Sequence, residues 1–371
     1  MSQISKTTQS ISSRRWKKFK TIKRGYYSLI LLTTMYTLSF LLPILVNDKA
    51  LIVKYKGEYS FPAFTSLIAS FPVIDQFVSV FQSGESLGQV GNPGQAHYRD
   101  LQKQYVEENG DNFIIMPLYP YGPIEDITTD GNTAFMEPWT ANEGEGPRIM
   151  GTDENGRDVF ARMAYGFKVS ISFALILVLL EYLIGIPIGG LLGFKSGWYD
   201  LIGQRIIEMW STLPILFLII IVVSFIQPSF ILLVMLLALT AWIPITTYIR
   251  AEFYREKSKD YVAAAISIGV PTWKIMFKHI LPNSLVPIIT NFPFAVVAGI
   301  TSLVALDFLG FGLPPPTPSW GQMLSSGLQN LTKWWLVFSP MFALFVTLIM
   351  IVFIGEAIRE AFDPKTFSRL R

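Results

Sequence analysis

The stretch LPILFLIIIVVSF, residues 213–225, decides the fold class. It is an uninterrupted apolar run and lacks the alternation of polar and apolar residues that is typical of a membrane β-strand. About 20 apolar residues are needed to cross a hydrocarbon core of about 30 Å. Backbone polar groups in lipid must bond within the protein, so long apolar segments are helical. We therefore predict an all-α polytopic membrane protein with six transmembrane helices, at residues 27–46, 168–194, 206–226, 230–249, 285–306 and 336–355.

The composition of the 371-residue chain excludes several classes of function. Only 15% of the residues are charged and 51% are hydrophobic, whereas a soluble domain has about 25% charged residues. The net charge of +3 is too small to indicate nucleic acid as a partner. There is no cysteine for a thiolate site, and His97 and His279 are the only histidines. We therefore expect no metal, no cofactor and no catalytic residue in this chain.

The distribution of Lys and Arg predicts the orientation of the chain, because short cytoplasmic loops are enriched in them. Residues 1–26 contain eight basic residues and no acid, which predicts a cytoplasmic N-terminus. The 250–283 loop is also basic, whereas the 307–335 loop contains only Lys333. The predicted order is therefore a cytoplasmic N-terminus 1–26, a first helix 27–46, an external insert 47–165, a five-helix core 166–356 with a cytoplasmic loop 250–283, and a cytoplasmic tail 357–371. The first apolar segment is too long for a cleaved signal peptide, so we expect it to remain as an anchor.

Three short motifs lie in or beside the external insert. The pattern ALIVKYKGEYSFP predicts two short strands around Lys56 and Gly57. GESLG, residues 84–88, matches a G-x-S-x-G nucleophile elbow with Ser86 at its centre, but the flanking sequence predicts a loop rather than the required strand and helix. A membrane-anchored hydrolase remains a rival hypothesis. GTDENGRD, residues 151–158, lacks the calcium ligands of an EF-hand and indicates a turn in which Asp153 or Asp158 caps the helix of the second span.

Polar residues within the spans are candidates for a substrate path. Glu181 lies at the midpoint of the second span, where an unpaired charge costs about 3 kcal/mol or more. It either lines a path or is a protonated link between helices. Asn291, Thr301 and Ser302 on the fifth span are further path candidates, although such residues also hold helices together. The 307–335 loop, which contains PPPTPSW, either caps the outer mouth or is a stiff connector.

The segment DYVAAAISIGVPTWKIMFKHILPNS, residues 260–284, predicts two short helices on the cytoplasmic side. The first spans about 261–268, with Asp260 as a candidate N-cap. Gly269 suits a left-handed position that ends this helix, and Pro271 suits the first turn of the next one. We expect the second helix to stop at Leu281-Pro282.

Alanines at 263, 264 and 265 predict a smooth surface that another protein approaches closely, with basic residues around it. From the residues alone, this segment is either a docking knob or a helix that lies on the lipid surface.

The same segment resembles the EAA loop of ATP-binding-cassette importer permeases, whose pattern is E-A-A, three residues, Gly, nine residues and then I-x-L-P. The residues that match are Ala264, Ala265, Gly269, Leu281 and Pro282. Ala263 stands where the family usually has glutamate, and His279 stands where it has isoleucine. The resemblance implies that Asp260, Tyr261 and the matching residues dock on an ATPase.

Other segments narrow the resemblance to the peptide permeases. GTDENGRDVFARMAYGFKVSISFAL, FKHILPN and LDFLGFGLPPPTPSWGQML resemble the C-type subunit of the dipeptide and oligopeptide permeases. VNDKALIVKYKGEYSFP and FIGEAIREAFDPK resemble the Yej-type peptide permeases.

The resemblance implies a type I ABC importer permease fold in a bacterial inner membrane, with both termini cytoplasmic. It also implies a second, B-type permease subunit, a cytoplasmic ATPase that binds the ATP, a periplasmic binding protein and a peptide substrate. Membrane lipid is expected to contact the outer surfaces of the helices. Alternatives are a permease for another small solute such as nickel or a glycopeptide, or a channel that works without an ATPase.

Overall fold

The computed structural model describes residues 11–64, 83–89, 94–108, 110–125, 134–141 and 146–363. Most of this part of the chain is helical. The α-helices are α1 Ile11–Thr21, α2 Lys23–Ser39, α3 Leu42–Leu45, α4 Tyr98–Glu107, α5 Val159–Lys195, α6 Gly197–Ser211, α7 Ile215–Phe225, α8 Phe230–Lys257, α9 Asp260–Ser267, α10 Thr272–Lys274, α11 Leu285–Phe308, α12 Trp320–Gln329 and α13 Trp334–Phe362. The strands are β1 Ile52–Tyr55, β2 Glu58–Ser60 and β3 Phe113–Ile115.

Four helical segments in the described part of the chain are long and apolar enough to cross a membrane: α5, α8, the continuous segment Thr272–Phe308 and α13. A fifth span is present if α6 and α7 are counted together, although they meet at a bend of 61°. The span predicted over 206–226 is therefore present as two helices that meet at a bend rather than as one helix. Pro214 explains the break, because proline disfavours the helical conformation of the residue before it.

The first predicted span, 27–46, is divided into two shorter helices. The α2 helix ends at Ser39, and α3 begins at Leu42 with Pro43 in its first turn. Proline is tolerated there because the first amides of a helix have no intrahelical acceptor. At 17 residues, α2 is shorter than the four long spans, so the described helices support four or five spans by length and composition rather than six.

The GTDENGRD segment forms a turn followed by a helix cap. Asp153 Oδ1 accepts the backbone N–H groups of Asn155 and Arg157, each at 2.9 Å. Asp158 Oδ1 accepts the N–H of Ala161 at 2.8 Å, which satisfies a free amide at the start of α5. The predicted cap is confirmed at Asp158. It explains why α5 begins at residue 159, nine residues before the predicted span.

The described contacts divide the chain into two compact units. The first comprises Met1–Thr33, Ser172–Leu303 and Phe345–Arg371, and the second comprises Thr34–Ile171 and Val304–Leu344. Residues 364–371 of the predicted tail and residues 1–10 of the predicted N-terminus lie outside the described residues.

In the second unit, the three strands form an antiparallel sheet in the order β2-β1-β3. Lys56 and Gly57 have φ values of 49° and 87° and connect β1 to β2, as in the two-residue turns that favour hairpins. The two predicted strands are confirmed, and β3 is an additional strand. Val53, Leu101 and Ile114 are buried together where α4 packs on the sheet.

A charged cluster lies beside this small core. Arg99 donates to both oxygens of Glu125, at 2.8 and 2.5 Å, and its guanidinium carbon lies 4.9 Å from the centre of the Tyr121 ring. Burial, together with the nearby negative charge of Glu125, raises the pKa of Asp48 to about 6. The insert therefore contains a carboxyl group that takes up a proton in mildly acidic solution.

The segment predicted as the 307–335 loop contains a helix, α12. Asp307 organises the chain before it by accepting the Ser319 hydroxyl at 2.5 Å and the Leu313 N–H at 2.7 Å. Trp320 is buried, and its Nε1 donates to the carbonyl oxygen of Met163 at 3.0 Å. This anchoring gives the segment a fixed place in the second unit, and its capping of an outer mouth stays a prediction.

Candidate functional site

The α9 helix ends in a Schellman motif around Gly269. The Val270 N–H donates to the carbonyl oxygen of Ala265, and the Gly269 N–H donates to that of Ile266, each at 3.0 Å. Gly269 has a φ of +78°, a conformation that costs a residue with a Cβ about 1–2 kcal/mol. The predicted left-handed end of the helix is confirmed.

The start of α9 differs from the sequence prediction. Lys259, rather than Asp260, occupies the N-cap position, and no side chain caps the helix. Asp260 lies in the first helical turn, where a negative charge interacts favourably with the helix dipole. The helix spans Asp260–Ser267, one residue earlier at each end than predicted.

The second short helix does not stop at Leu281-Pro282. Pro271 precedes α10 as its N-cap residue, and the chain continues as a π-helical turn over Ile275–Ile280 and a 3₁₀ turn over Leu281–Ser284 into α11. Pro282 has no N–H to donate to the carbonyl four residues earlier. The change of helical pitch absorbs this missing bond and keeps the segment continuous.

We use the name coupling segment for residues 260–284. One face of it is embedded in a hydrophobic core of the first unit. Val262 and Ala265 of α9 pack there with Ile249 and Phe253 of α8 and with Phe194 of α5. Ile275, Met276 and Ile280 complete this core from the π-helical turn. The coupling segment is therefore packed against the ends of α5 and α8 rather than joined to them only through the chain.

The opposite face is exposed and apolar. Ile268 is 79% exposed and Trp273 is 63% exposed, and Ala263 and Ala264 are exposed between them and the start of α9. Ala265, which was predicted to share this smooth surface, is buried in the core instead. Exposed apolar patches of this kind mark interaction sites on proteins or membranes.

A buried carboxylate fixes the junction between α8 and α9. Glu256, in the last turn of α8, is only 2% exposed. It accepts the ammonium of Lys259 at 2.6 Å and the hydroxyl of Tyr261 at 2.8 Å. Asn283, at the far end of the coupling segment, donates to the same hydroxyl at 3.3 Å. Both ends of the coupling segment are thus linked to one acidic side chain.

This network was missed in the sequence, although a signal was present. Glu256 is an acid among basic residues at the boundary of an apolar span, and Lys259 follows at the helical spacing of three residues. Burial together with the hydrogen bond to Glu256 raises the pKa of Tyr261. The tyrosine therefore remains a hydrogen-bond donor at neutral pH.

Three glycines bring α5 into close contact with α8. Gly185, Gly189 and Gly193 are four residues apart on α5. A methyl group on Gly185 would lie 2.8 Å from the carbonyl oxygen of Trp242, and methyl groups on the other two would overlap the carbonyl oxygens of Thr246 and Arg250. Membrane helices approach closely where small residues recur at this spacing.

The single hydroxyl proton of Thr246 has two acceptors within reach, the carbonyl oxygen of Trp242 on its own helix at 2.8 Å and that of Gly185 on α5 at 3.2 Å. The glycine spacing was visible in the sequence and was not used. The three glycines allow close packing of α5 against α8, the helix that precedes the coupling segment.

The same end of α8 is bound to α6. Arg250 donates from Nε and one terminal nitrogen to the two oxygens of Asp200, at 2.5 and 2.6 Å. Lys257 Nζ donates to the Ser196 hydroxyl at 2.8 Å. A bidentate arginine–carboxylate pair has a defined geometry, so α6, α8 and the coupling segment form one connected group.

The candidate path residues lie on two helices, Glu181 on α5 and the other three on α11. Glu181 is 8% exposed within α5, and Thr301 is exposed on α11. Thr301 donates to the carbonyl oxygen of Val297 at 2.9 Å and Asn291 donates to that of Pro287 at 2.8 Å, so both bond to their own helix. Within the described residues, no hydrogen bond joins these residues or Ser302 to one another, and their role in a path stays a prediction.

Comparisons with known proteins place the chain in a family. Residues 185–368 match the family model of the binding-protein-dependent transport system inner membrane component. An inner membrane ABC transporter permease protein of Escherichia coli, YejE, is 37% identical over 98% of this chain and 99% of its own length. A peptidoglycan transport system permease protein of Agrobacterium fabrum, also YejE, is 35% identical over 96% and 94%. A dipeptide transport system permease protein of Haemophilus influenzae, DppC, is 34% identical over 68% and 86%.

The chain belongs to the binding-protein-dependent transport inner membrane components. It is a multi-pass inner membrane permease of the ABC importer type, and the predicted resemblance is confirmed. The family model covers the three glycines, the Glu256 network and the coupling segment. It begins after the 47–165 insert, which the two YejE proteins nevertheless cover along with the rest of the chain.

The rival hydrolase site does not have the required structure in this permease. Glu85–Leu87 forms a single 3₁₀ turn, and the Ser86 hydroxyl donates to the carbonyl oxygen of Ser83 at 2.7 Å. A nucleophile elbow needs a strand before the serine and a helix after it, and the described residues 83–89 contain neither. The GESLG match is therefore a local turn.

Proposed function

We propose that this permease subunit imports peptides together with a second, B-type permease subunit, cytoplasmic ATPases and a periplasmic peptide-binding protein. The similarity to dipeptide and oligopeptide permeases supports a peptide substrate, and the family description supports the binding protein. ATP is bound by the ATPase partner, and this chain contributes no catalytic residue and no cofactor.

The orientation in this proposal places both termini and the coupling segment in the cytoplasm and the 47–165 insert in the periplasm. The basic residues before α2 and within 250–283 support it, because they are the residues that cytoplasmic loops retain. The exposed face of α9 is then directed to the compartment that contains ATP.

The coupling mechanism follows from the two faces of α9. Ile268 and Trp273 present apolar surface to the ATPase, while Val262 and Ala265 lie in one core with α8 and α5. Closure of the ATPases on ATP would therefore move α9 and the packed ends of α5 and α8 together, as a rigid body. Nucleotide changes the equilibrium of such a movement only because it has different affinities for the two states.

The EAA pattern usually has a glutamate where this chain has Ala263, and the Glu256 network takes over its role in fixing the segment. It holds the angle of α9 by bonds to Lys259 and Tyr261. Asp260, Ala264, Gly269, Pro271, Leu281 and Pro282 shape the segment. Glu181, Asn291, Thr301 and Ser302 are the proposed path-lining residues.

A second candidate substrate is a fragment of peptidoglycan. The relative from Agrobacterium fabrum, which covers nearly the whole chain, is named a peptidoglycan transport system permease. Such fragments combine sugar and peptide, which places them close to the peptide substrate class and to the glycopeptide alternative.

The test is to purify this chain from membranes in detergent and to identify the proteins that co-purify with it. We expect an ATPase to co-purify, and we expect ATP hydrolysis to rise when the binding protein is supplied with tripeptides. Anhydro-muropeptides added in a parallel arm distinguish the second substrate, and nickel ions serve as a control for the metal alternative. Transport by the chain without any ATPase would contradict the coupling proposal.

A further inference from the structure

The α1 helix carries a concentration of positive charge immediately before α2, the helix that contains the start of the first predicted span. Between Ile11 and Arg24 the basic residues are Arg14, Arg15, Lys17, Lys18, Lys20, Lys23 and Arg24, and no acid interrupts them. One residue, Ile22, separates α1 from α2. This charge is therefore held at the boundary of the bilayer.

Contacts with the end of α13 fix the position of α1. Phe19 is buried against Ala357 and Ala361, and Lys18 Nζ donates to the carbonyl oxygen of Glu360 at 2.6 Å. The Arg15 guanidinium lies 4.5 Å from the centre of the Phe362 ring. The helix is thus packed in the first unit, with one face in contact with the end of α13.

The remaining face combines exposed cations with an exposed indole. Trp16 is 49% exposed and stacks on Phe19 with 5.5 Å between ring centres. Lys20 Nζ lies 5.5 Å from the centre of the Trp16 ring, and Lys17 and Lys23 are exposed beside it. Tryptophan concentrates at the level of lipid headgroups, and basic amphipathic helices with aromatic residues bind at that level.

We propose that α1 is a binding site for the headgroups of anionic phospholipids in the cytoplasmic leaflet. Lys17, Lys20 and Lys23 bind the phosphates, and Trp16 inserts at the depth of the headgroups. Charge complementarity identifies this occupant, because the cytoplasmic surface of a membrane carries negative potential and attracts basic segments next to a membrane helix. Continuity with α2 places the cations at that surface rather than at a distance from it.

The lipid bound in this way has a structural effect. Because Phe19, Lys18 and Arg15 hold α1 on the last turns of α13, lipid bound to α1 also restrains the end of α13. The inference does not depend on which solute the permease carries. It rests on the cytoplasmic N-terminus of the proposed function, because that orientation places α1 at the negatively charged leaflet.

The experiment titrates the purified full-length chain, in neutral detergent, with phosphatidylglycerol and with phosphatidylcholine, and counts bound lipids by native mass spectrometry. We expect the wild-type chain to prefer phosphatidylglycerol. In the double variant Lys17→Gln/Lys20→Gln, affinity for phosphatidylglycerol falls about fivefold for each removed charge, while affinity for phosphatidylcholine stays unchanged. The double variant Lys195→Gln/Arg205→Gln is the control, since it removes two cations elsewhere in the same unit.

Three outcomes would overturn the proposal. The first is an unchanged preference in the α1 variant, and the second is an equal loss in the control variant, which would indicate a general charge effect. The third is an α1 variant that keeps the lipid preference but co-purifies with less ATPase, which would indicate that α1 contacts a protein partner. Trp16→Leu separates the contribution of the indole from that of the charges. We expect it to weaken binding of both lipids without changing the ratio of the two affinities.

Discussion

The Tyr261 hydroxyl donates a hydrogen bond of 2.8 Å to Glu256 Oε2, and this bond joins the first turn of α9 to the last turn of α8. The other carboxylate oxygen accepts Lys259 at 2.6 Å. Hydrogen bonds to a charged group contribute about 1.5–3 kcal/mol. The angle at which the coupling segment leaves α8 therefore depends on a carboxylate outside the EAA pattern.

Replacing Glu256 by Gln is expected to reduce coupling between ATP hydrolysis and transport. The amide carries no negative charge and has one acceptor oxygen instead of two, so it cannot accept from Lys259 and Tyr261 with separate oxygens as the carboxylate does. We expect peptide uptake to fall several-fold while the chain still inserts, measured by uptake normalised to the amount of protein in the membrane. Glu208→Gln is the matched control, because Glu208 pairs with Arg205 three residues earlier and both side chains are more than half exposed, and exposed pairs contribute about 0–1 kcal/mol.

The double variant Glu256→Gln/Tyr261→Phe tests whether the two groups act as one unit. Residues that share a hydrogen bond show interaction energies of about 0.5–3 kcal/mol in a double-mutant cycle. We expect the double variant to be less impaired than the sum of the single variants. Strict additivity would show that Tyr261 acts independently of Glu256.

Gly269→Val is expected to open the Schellman motif that closes α9. Valine at a φ of +78° is strained by about 1–2 kcal/mol or more, and an added Cβ has no other atom within 4 Å. The loss of uptake is therefore a backbone effect. Gly269→Asn is the control, because asparagine tolerates the left-handed region. Wild-type uptake by the valine variant at normal membrane levels would refute the role of this turn.

The sequence was sufficient for the features that depend on local chemistry. Four of the six apolar spans, the turn at Lys56-Gly57, the Asp158 cap and the left-handed Gly269 each follow from residue types at fixed spacing, and the structure contains them. The family resemblance also follows from local motifs, and the comparisons confirm it.

The features that were wrong or missed depend on contacts between distant parts of the chain. Ala265 was expected on the docking surface, but helix rotation is decided by packing, and Ile249 and Phe253 bury it. The Glu256 network joins the two ends of the coupling segment, a closure that spacing alone does not reveal. The break at Pro214 follows from the residue type, whereas the angle of 61° between α6 and α7 is not given by a single proline.

Gly189→Ala tests the contact between α5 and α8. Alanine is the better helix former by about 1 kcal/mol, so in an isolated helix this change would be stabilising. Here the added methyl group overlaps the carbonyl oxygen of Thr246, and the helices must separate. We expect a lower unfolding temperature in detergent and reduced uptake. Gly110→Ala, at a position where the nearest atom to an added Cβ is 4.0 Å away, is the control, and equal melting of the two variants would contradict the close contact.

The orientation of the chain is testable by labelling, because the natural sequence has no cysteine. Val106→Cys lies at an exposed position of the insert, and Lys278→Cys lies at an exposed position of the coupling segment. A maleimide that does not cross the inner membrane is expected to label the first variant in spheroplasts and the second only after permeabilisation. Labelling of Lys278→Cys in intact spheroplasts would contradict the cytoplasmic position of the coupling segment.

The stability of the 47–165 insert is expected to decrease as the pH rises from about 4 to about 6. Asp48 has a pKa of about 6 in the folded insert, raised by burial and by Glu125 from an ordinary value of 3.8. The folded state therefore binds its proton more tightly than the unfolded chain does, and stability is lost as the proton leaves. Asp48→Asn removes this titration, so proteolysis of the insert should become less dependent on pH and slower at pH 7. Asp111→Asn, which changes an exposed partner of Lys54, is the control that keeps the wild-type slope, and an unchanged slope in Asp48→Asn would refute the assignment.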